Sequence, residues 1–179
     1  MALFVLIHGG HHGAWCWAKI GPRLAELGHG AVALDMPGNG NDQTPHDQIT
    51  MEAYAQKICG ALETAEEPVM LVGHSLGGMS VSLAAERTPR RIKRLVYLAG
   101  FIPSDGQSLL STLQTTRTAP AGAPVAEDAW KLSMTQAVPP AEDCIARFYN
   151  DCSQEDIAYA LPRLKPQVNA PRVTPIRLT

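Results

Sequence analysis

Residues 69–83, VMLVGHSLGGMSVSL, put one serine where it could act as a nucleophile. An apolar run stops at Gly73, Ser75 follows, and a new apolar pattern begins after Gly77. Gly73-His74-Ser75-Leu76-Gly77 fits G-x-S-x-G. In that motif the chain turns sharply from a strand into a helix and holds the serine at a strained backbone angle. Side chains two residues to either side would collide, which is why glycine stands at both places. A serine so placed could attack an acyl carbon. It would need N–H donors aimed at the developing oxyanion and a base to take its proton. The plainer alternative is a Gly-rich β–α turn with an idle serine. The strand before it, the helix after it and a second Gly-rich loop weigh against that.

The second loop is HGGHHGAW, residues 8–15, directly after the first apolar run. Its glycines would let backbone N–H groups approach a substrate closely. A base is harder to find. The six histidines are His8, His11, His12, His29, His46 and His74, and every one precedes Ser75. His8 and His74 flank the two loops and are expected to brace them by hydrogen bonds. His11 and His12 belong to the first loop and point to no partner by spacing. His29 falls in a helix-to-strand turn. His46, in NGNDQTPHDQ, is the only candidate stand-in base. Asp105, in FIPSDGQS, is a candidate acid, although a turn role beside Gly106 is the better reading.

These residues need a scaffold. Four short runs, Leu3–His8, Ala31–Asp35, Val69–Val72 and Leu95–Leu98, are continuous in Val, Leu, Ile and Ala rather than alternating, as buried parallel strands are. Helical patterns lie between them: Trp17–Leu27 with Ile20, Leu24 and Leu27 on one face, Met51–Leu62 with Thr50 as N-cap, and Met79–Glu86 after the serine. The alternation implies a doubly wound, mostly parallel α/β sheet with right-handed crossovers. From Pro120 onward stand eight of the 14 prolines and no convincing buried strand. Helices are expected at Ala141–Tyr149 and after Ser153, which with Asp156 makes a capping box.

At 179 residues the chain suits one domain with a sizeable core. A net charge of -2 gives no electrostatic reason to expect nucleic acid or an anionic membrane as partner. No apolar run approaches the roughly 20 residues that span a bilayer. Cys16, Cys59, Cys144 and Cys152 form no CxxC pair, and no Cys or His stand at ligand spacing, so neither metal nor other cofactor is expected. The apolar start lacks a basic n-region and a cleavage site, so it reads as a strand. Free thiols in a reducing cytoplasm follow.

Four segments, FVLIHGGHHGAWCW, ALDMPGNG, LVGHSLGGM and DCSQEDIAYAL, resemble the small α/β-hydrolases that include plant methylesterases, hydroxynitrile lyases and their bacterial esterase relatives. The resemblance is specific in the first hundred residues and looser beyond. It implies an α/β-hydrolase core over 1–101 and a helical cap over 102–179. It also implies Ser75 as nucleophile and the backbone N–H groups of Gly10 and Leu76 as oxyanion donors. Gly9, Trp130 and Phe148 would line an apolar pocket under the cap. The implied reaction is hydrolysis of small, largely apolar carboxylic esters. The lyases carry a threonine hydroxyl where this chain has Gly9, which favours ester hydrolysis over cyanohydrin cleavage. In such a fold the acid and the histidine follow the nucleophile. Two more strand–helix units, on the order of 60 residues at ~30 each, would bring them. The chain is therefore expected to be cut short and inactive alone, its fourth strand exposing an edge that leaves a homodimer open. A member that only binds a small ligand is the alternative.

Overall fold

The computed structural model describes residues 1–116 and 134–179. Its centre is a four-stranded parallel sheet of β1 (Leu3–Ile7), β2 (Gly30–Leu34), β3 (Val69–His74) and β4 (Ile92–Leu98), in the order β2-β1-β3-β4. All four expected strands are present, each within a few residues of its expected bounds. Register places Val5 beside Leu71 and Ile7 beside Gly73, so β1 and β3 end at the same level. That level is where both Gly-rich loops begin.

Helices α1 (Ile20–Glu26), α2 (Met51–Glu63) and α3 (Gly77–Arg87) cover the sheet. Helix α2 starts where Thr50 accepts a hydrogen bond from Ala53 N at 3.0 Å. It buries Met51, Tyr54, Ala55, Ile58 and Leu62, a stripe at helical spacing. Helix α3 is buried along Gly77–Ala84 and opens on two glycines. A Cβ on Gly77 would come within 2.8 Å of His8 O, and one on Gly78 within 2.3 Å of Phe101 O. Those two glycines let α3 press against the ends of β1 and β4.

The expected helix over 17–27 is shorter and differently buried. Ala14–Trp17 form a separate 3-10 turn, and α1 has no fully buried residue. Leu24 packs beside Trp17 and Val72, whereas Ile20 and Leu27 are exposed. Helical spacing identified the stripe but not what covers it.

The later part holds α4 (Leu109–Thr116), β5 (Thr135–Gln136), α5 (Ala141–Phe148), α6 (Gln154–Ala160), β6 (Gln167–Val168) and α7 (Ala170–Val173). The Ser153 cap forms as expected, its hydroxyl accepting from Asp156 N at 3.1 Å. The expectation of no buried strand after Pro120 is corrected. Strand β6 is buried and pairs antiparallel with β5, and its two residues were too few to give a periodic signal. Leu109, Val168 and Ile176 join the main core with Val5, Leu71 and Met79. Cys144, Tyr149, Ile157 and Ala160 form a separate small cluster against Trp15. No helix among the described residues is long and apolar enough to cross a membrane.

Candidate active site

Ser75 sits between β3 and α3 with φ +51°, in the left-handed region that side chains avoid. Its carbonyl accepts from Gly78 N at 2.9 Å and Phe101 N at 3.1 Å, which holds the turn closed. Gly73 and Gly77 are required by space. A Cβ on Gly73 would come within 2.6 Å of Val81 Cγ2 and 2.8 Å of Gly77 O. The first loop abuts this elbow at two points. A Cβ built on Gly9 would lie 2.9 Å from Ser75 Cβ, and one on Gly10 would lie 3.8 Å from Leu76 Cδ2.

The first loop is clamped along its length. The His8 ring donates from Nδ1 to Gly9 O at 2.7 Å, and its Nε2 accepts from Met36 N at 3.0 Å. Full burial pushes its pKa down to about 4, so the ring stays neutral. His12 donates from Nδ1 to Gly10 O at 2.8 Å. His11, at φ +65°, is tied to Lys165 through its ring (2.9 Å) and through its carbonyl, which accepts from Lys165 N at 2.9 Å. The N–H of His11 donates to Gln167 Oε1 at 3.2 Å. Gln167 in turn donates to the hydroxyl of Tyr54, which donates to Asn39 Oδ1. At the other end, the Asp35 carboxylate accepts from Ala14 N at 2.6 Å and Asn41 N at 2.9 Å. Among the described residues, the N–H groups of Gly10 and Leu76 are committed to no acceptor.

The histidines differ from expectation in three places. His8 braces its loop as expected. The His74 ring makes no hydrogen bond among the described residues; it packs edge-on against Trp17 at 6.4 Å between ring centroids, and burial lowers its pKa. His11 and His12, which spacing assigned to no partner, are both buried and fully engaged, because their partners lie about 150 residues away. His46 is exposed beside a different, polar recess lined by Asp42, Thr44 and Lys165. Among the described residues, no histidine ring is hydrogen-bonded to Ser75. Asp105 accepts from Leu178 N at 2.9 Å and faces Arg177, so it anchors the C-terminal residues.

A cavity of about 630 Å³ opens beside the elbow, between Trp15–Ile20 and helices α5 and α6. Phe148 and Tyr159 line it, with His12 and His74 in the wall; Ser75 and Gly9 do not. Trp130 lies outside the described residues. The four cysteines are free, and no cluster of three or more metal-ligating side chains occurs among the described residues.

Residues 4–177 match the profile of the Alpha/beta hydrolase family. The chain belongs to that family. Probable esterase PIR7A of rice (Oryza sativa subsp. indica) is 40% identical over 114 residues, which cover 62% of this chain and 43% of that protein. Salicylic acid-binding protein 2 of Nicotiana tabacum is 33% identical over 178 residues, covering 91% of this chain and 66% of the other. The chain thus spans between two-fifths and two-thirds of the length of these relatives. The crystal structure of polyneuridine aldehyde esterase superposes with a TM-score of 0.78 at 26% identity, covering 99% of this alpha/beta hydrolase chain and 74% of that one.

Asp35, Gln167 and Tyr149 are site-supporting residues that sequence reasoning did not single out. Asp35 had a legible signal, an acid at a strand end followed by the tight GNG turn. Gln167 and Tyr149 had none, because their partners are remote in sequence.

Proposed function

We propose that this chain carries the nucleophile and the oxyanion donors of a serine hydrolase for small, largely apolar carboxylic esters. The observation that carries the reading is Ser75 at φ +51° on the β3–α3 turn, against a loop whose Gly10 N–H is held uncommitted. In this reading Ser75 Oγ attacks the ester carbonyl carbon. The N–H groups of Gly10 and Leu76 receive the oxyanion, and collapse of the tetrahedral intermediate expels the alcohol. Water then attacks the acyl-enzyme and returns Ser75. Gly9 supports hydrolysis over cyanohydrin cleavage, since it offers no hydroxyl to hold a cyanohydrin. The apolar cavity beside the elbow is room for the unreactive part of such an ester, with Phe148 in its wall. The esterase names of the relatives support the same class. Four free thiols suit a reducing, cytoplasmic setting.

Each step needs a proton carried to or from oxygen, and among the described residues no histidine ring is hydrogen-bonded to Ser75. The 179 residues alone are therefore expected to turn over esters hardly better than an oxyanion hole allows, roughly 10³-fold over water. The deciding experiment is fluorophosphonate labelling of the natural protein, with the intact mass measured on the same sample. Labelling at Ser75, lost in Ser75→Ala, is the expected result. An unlabelled protein of full mass that still binds small apolar ligands would replace the enzyme with a binding protein.

A further inference from the structure

Gly10 is the residue whose N–H must point at the oxyanion, and glycine has the least intrinsic preference for any one backbone direction. Its orientation therefore has to be imposed from outside. The peptide before it, Gly9–Gly10, is held by His8 through the Gly9 carbonyl. The peptide after it, Gly10–His11, is held at both ends. Gln167 accepts the N–H of His11, and the ring of His12 donates to the carbonyl of Gly10.

His8 and Gln167 are anchored in the core, His8 at Met36 beyond β2 and Gln167 at Tyr54 on α2. His12 is anchored elsewhere. Its Nε2 lies 2.8 Å from the hydroxyl of Tyr149, the residue that caps the C-terminal end of α5. A carbonyl can only accept, so Nδ1 of the neutral ring carries the proton and Nε2 accepts from Tyr149 O–H. Both residues are buried, 8% exposed each, and the His12 ring stacks on Trp15 at 5.2 Å with Phe148 edge-on at 5.5 Å. Burial also lowers the His12 pKa, which keeps the ring in the neutral form that this geometry needs.

We propose that Tyr149 and His12 form a latch through which the seating of α5 orients the Gly10–His11 peptide and so limits rotation at Gly10, next to its N–H. Both are then positioning residues of the site, and the argument rests on the esterase reading above for what Gly10 does. Phe148, next in sequence to Tyr149, touches the same imidazole and lines the cavity. A molecule in that cavity therefore acts on the helix end that carries the latch. Filling of the cavity then bears on the Gly10–His11 peptide, which adjoins the one that carries the donor, and this makes the latch a determinant of substrate choice.

The test is Tyr149→Phe, which keeps the ring and removes only the hydroxyl, in the natural protein. Two quantities are measured: the acylation rate and affinity for a fluorophosphonate, and the exchange rate of the His11 amide by NMR. The expected result is acylation slower by about tenfold at unchanged affinity, short of the roughly 100–1,000-fold for losing an oxyanion donor outright. The His11 amide should exchange faster as well. His12→Asn, which retains a donor for the Gly10 carbonyl but cannot reach Tyr149, should behave alike, and adding Tyr149→Phe to it should change nothing more. Unchanged His11 exchange in Tyr149→Phe overturns the latch whatever the labelling shows. Faster exchange with unaltered acylation overturns its positioning role. If the wild type is never labelled but His11 exchange responds, the esterase reading falls and the latch stands.

Discussion

A Cβ built on Gly9 lies 2.9 Å from the Cβ of Ser75 and 3.1 Å from Nδ1 of His74. The backbone of the first loop is thus packed against the elbow with no room for even a methyl group, and the obstructing atoms belong to Ser75 and His74. Gly9→Thr is expected to push the loop and elbow apart and move the Gly10 N–H off the oxyanion. The cost should approach that of one lost donor, about 3 kcal/mol or ~10²-fold in acylation of Ser75. An unchanged rate constant for fluorophosphonate labelling in Gly9→Thr would place the reacting carbonyl elsewhere.

The φ of +51° at Ser75 costs stability, of order 1–3 kcal/mol for a residue with a side chain. Glycine tolerates that angle, although its flexibility in the unfolded chain offsets part of the gain. Ser75→Gly is therefore expected to be more stable than Ser75→Ala by about 1 kcal/mol, although both lose labelling. Chemical denaturation of the two variants side by side measures the difference. Equal stabilities would mean that the elbow stores no strain at Ser75.

The sheet and the elbow were legible because their signals are local. Continuous apolar runs mark parallel strands, and Gly73 and Gly77 mark a turn where neighbouring backbone leaves no space for a Cβ. The supports of the site were not legible. The partners of His12 and His11 lie 137 and 154 residues away, and no spacing rule connects such pairs. For the same reason Ile20 and Leu27 looked like core residues and are exposed. A helical stripe shows that a face is apolar, and only tertiary structure shows what lies against it.

Asp35 ties the far end of the first loop to β2 by accepting from Ala14 N and Asn41 N. Gly40 comes so close that an added Cβ would overlap the carboxylate. Asp35→Ala would leave two N–H donors without their charged acceptor, at about 2–3 kcal/mol. For a chain of this size that lowers the melting temperature by roughly 5–10 °C. Asp35→Asn keeps one acceptor oxygen and should lose about half as much. A thermal melt of Asp35→Ala within a degree or so of wild type would show that the two bonds are dispensable.

His8 makes the stability depend on pH in a window that can be assigned. Its ring is fully buried, and burial lowers its pKa from 6.5 to about 4. Between those values the unfolded chain takes up a proton that the folded one refuses, so stability falls as the pH drops from 6.5 towards 4. The size is about 3 kcal/mol at ~1.4 kcal/mol per pKa unit. Protonation would also remove the acceptor of Met36 N–H, so the charged ring cannot keep its place without breaking the clamp on Gly9. Burial lowers His11, His12 and His74 as well, with the same sign. The carboxylates Asp42, Glu52 and Asp156 have lowered pKa values, so their contribution is lost only below about pH 4.5. The interval from about pH 6.5 to 4.5 therefore belongs to the histidines. Urea unfolding at about pH 7, 5.5 and 4.5 should show most of the loss inside it. His8→Gln should start less stable at pH 7, because the clamp is imperfect, and should fall less steeply. An equally steep fall in His8→Gln would assign the titration to other groups and remove His8 as the acid-sensitive point of the first loop.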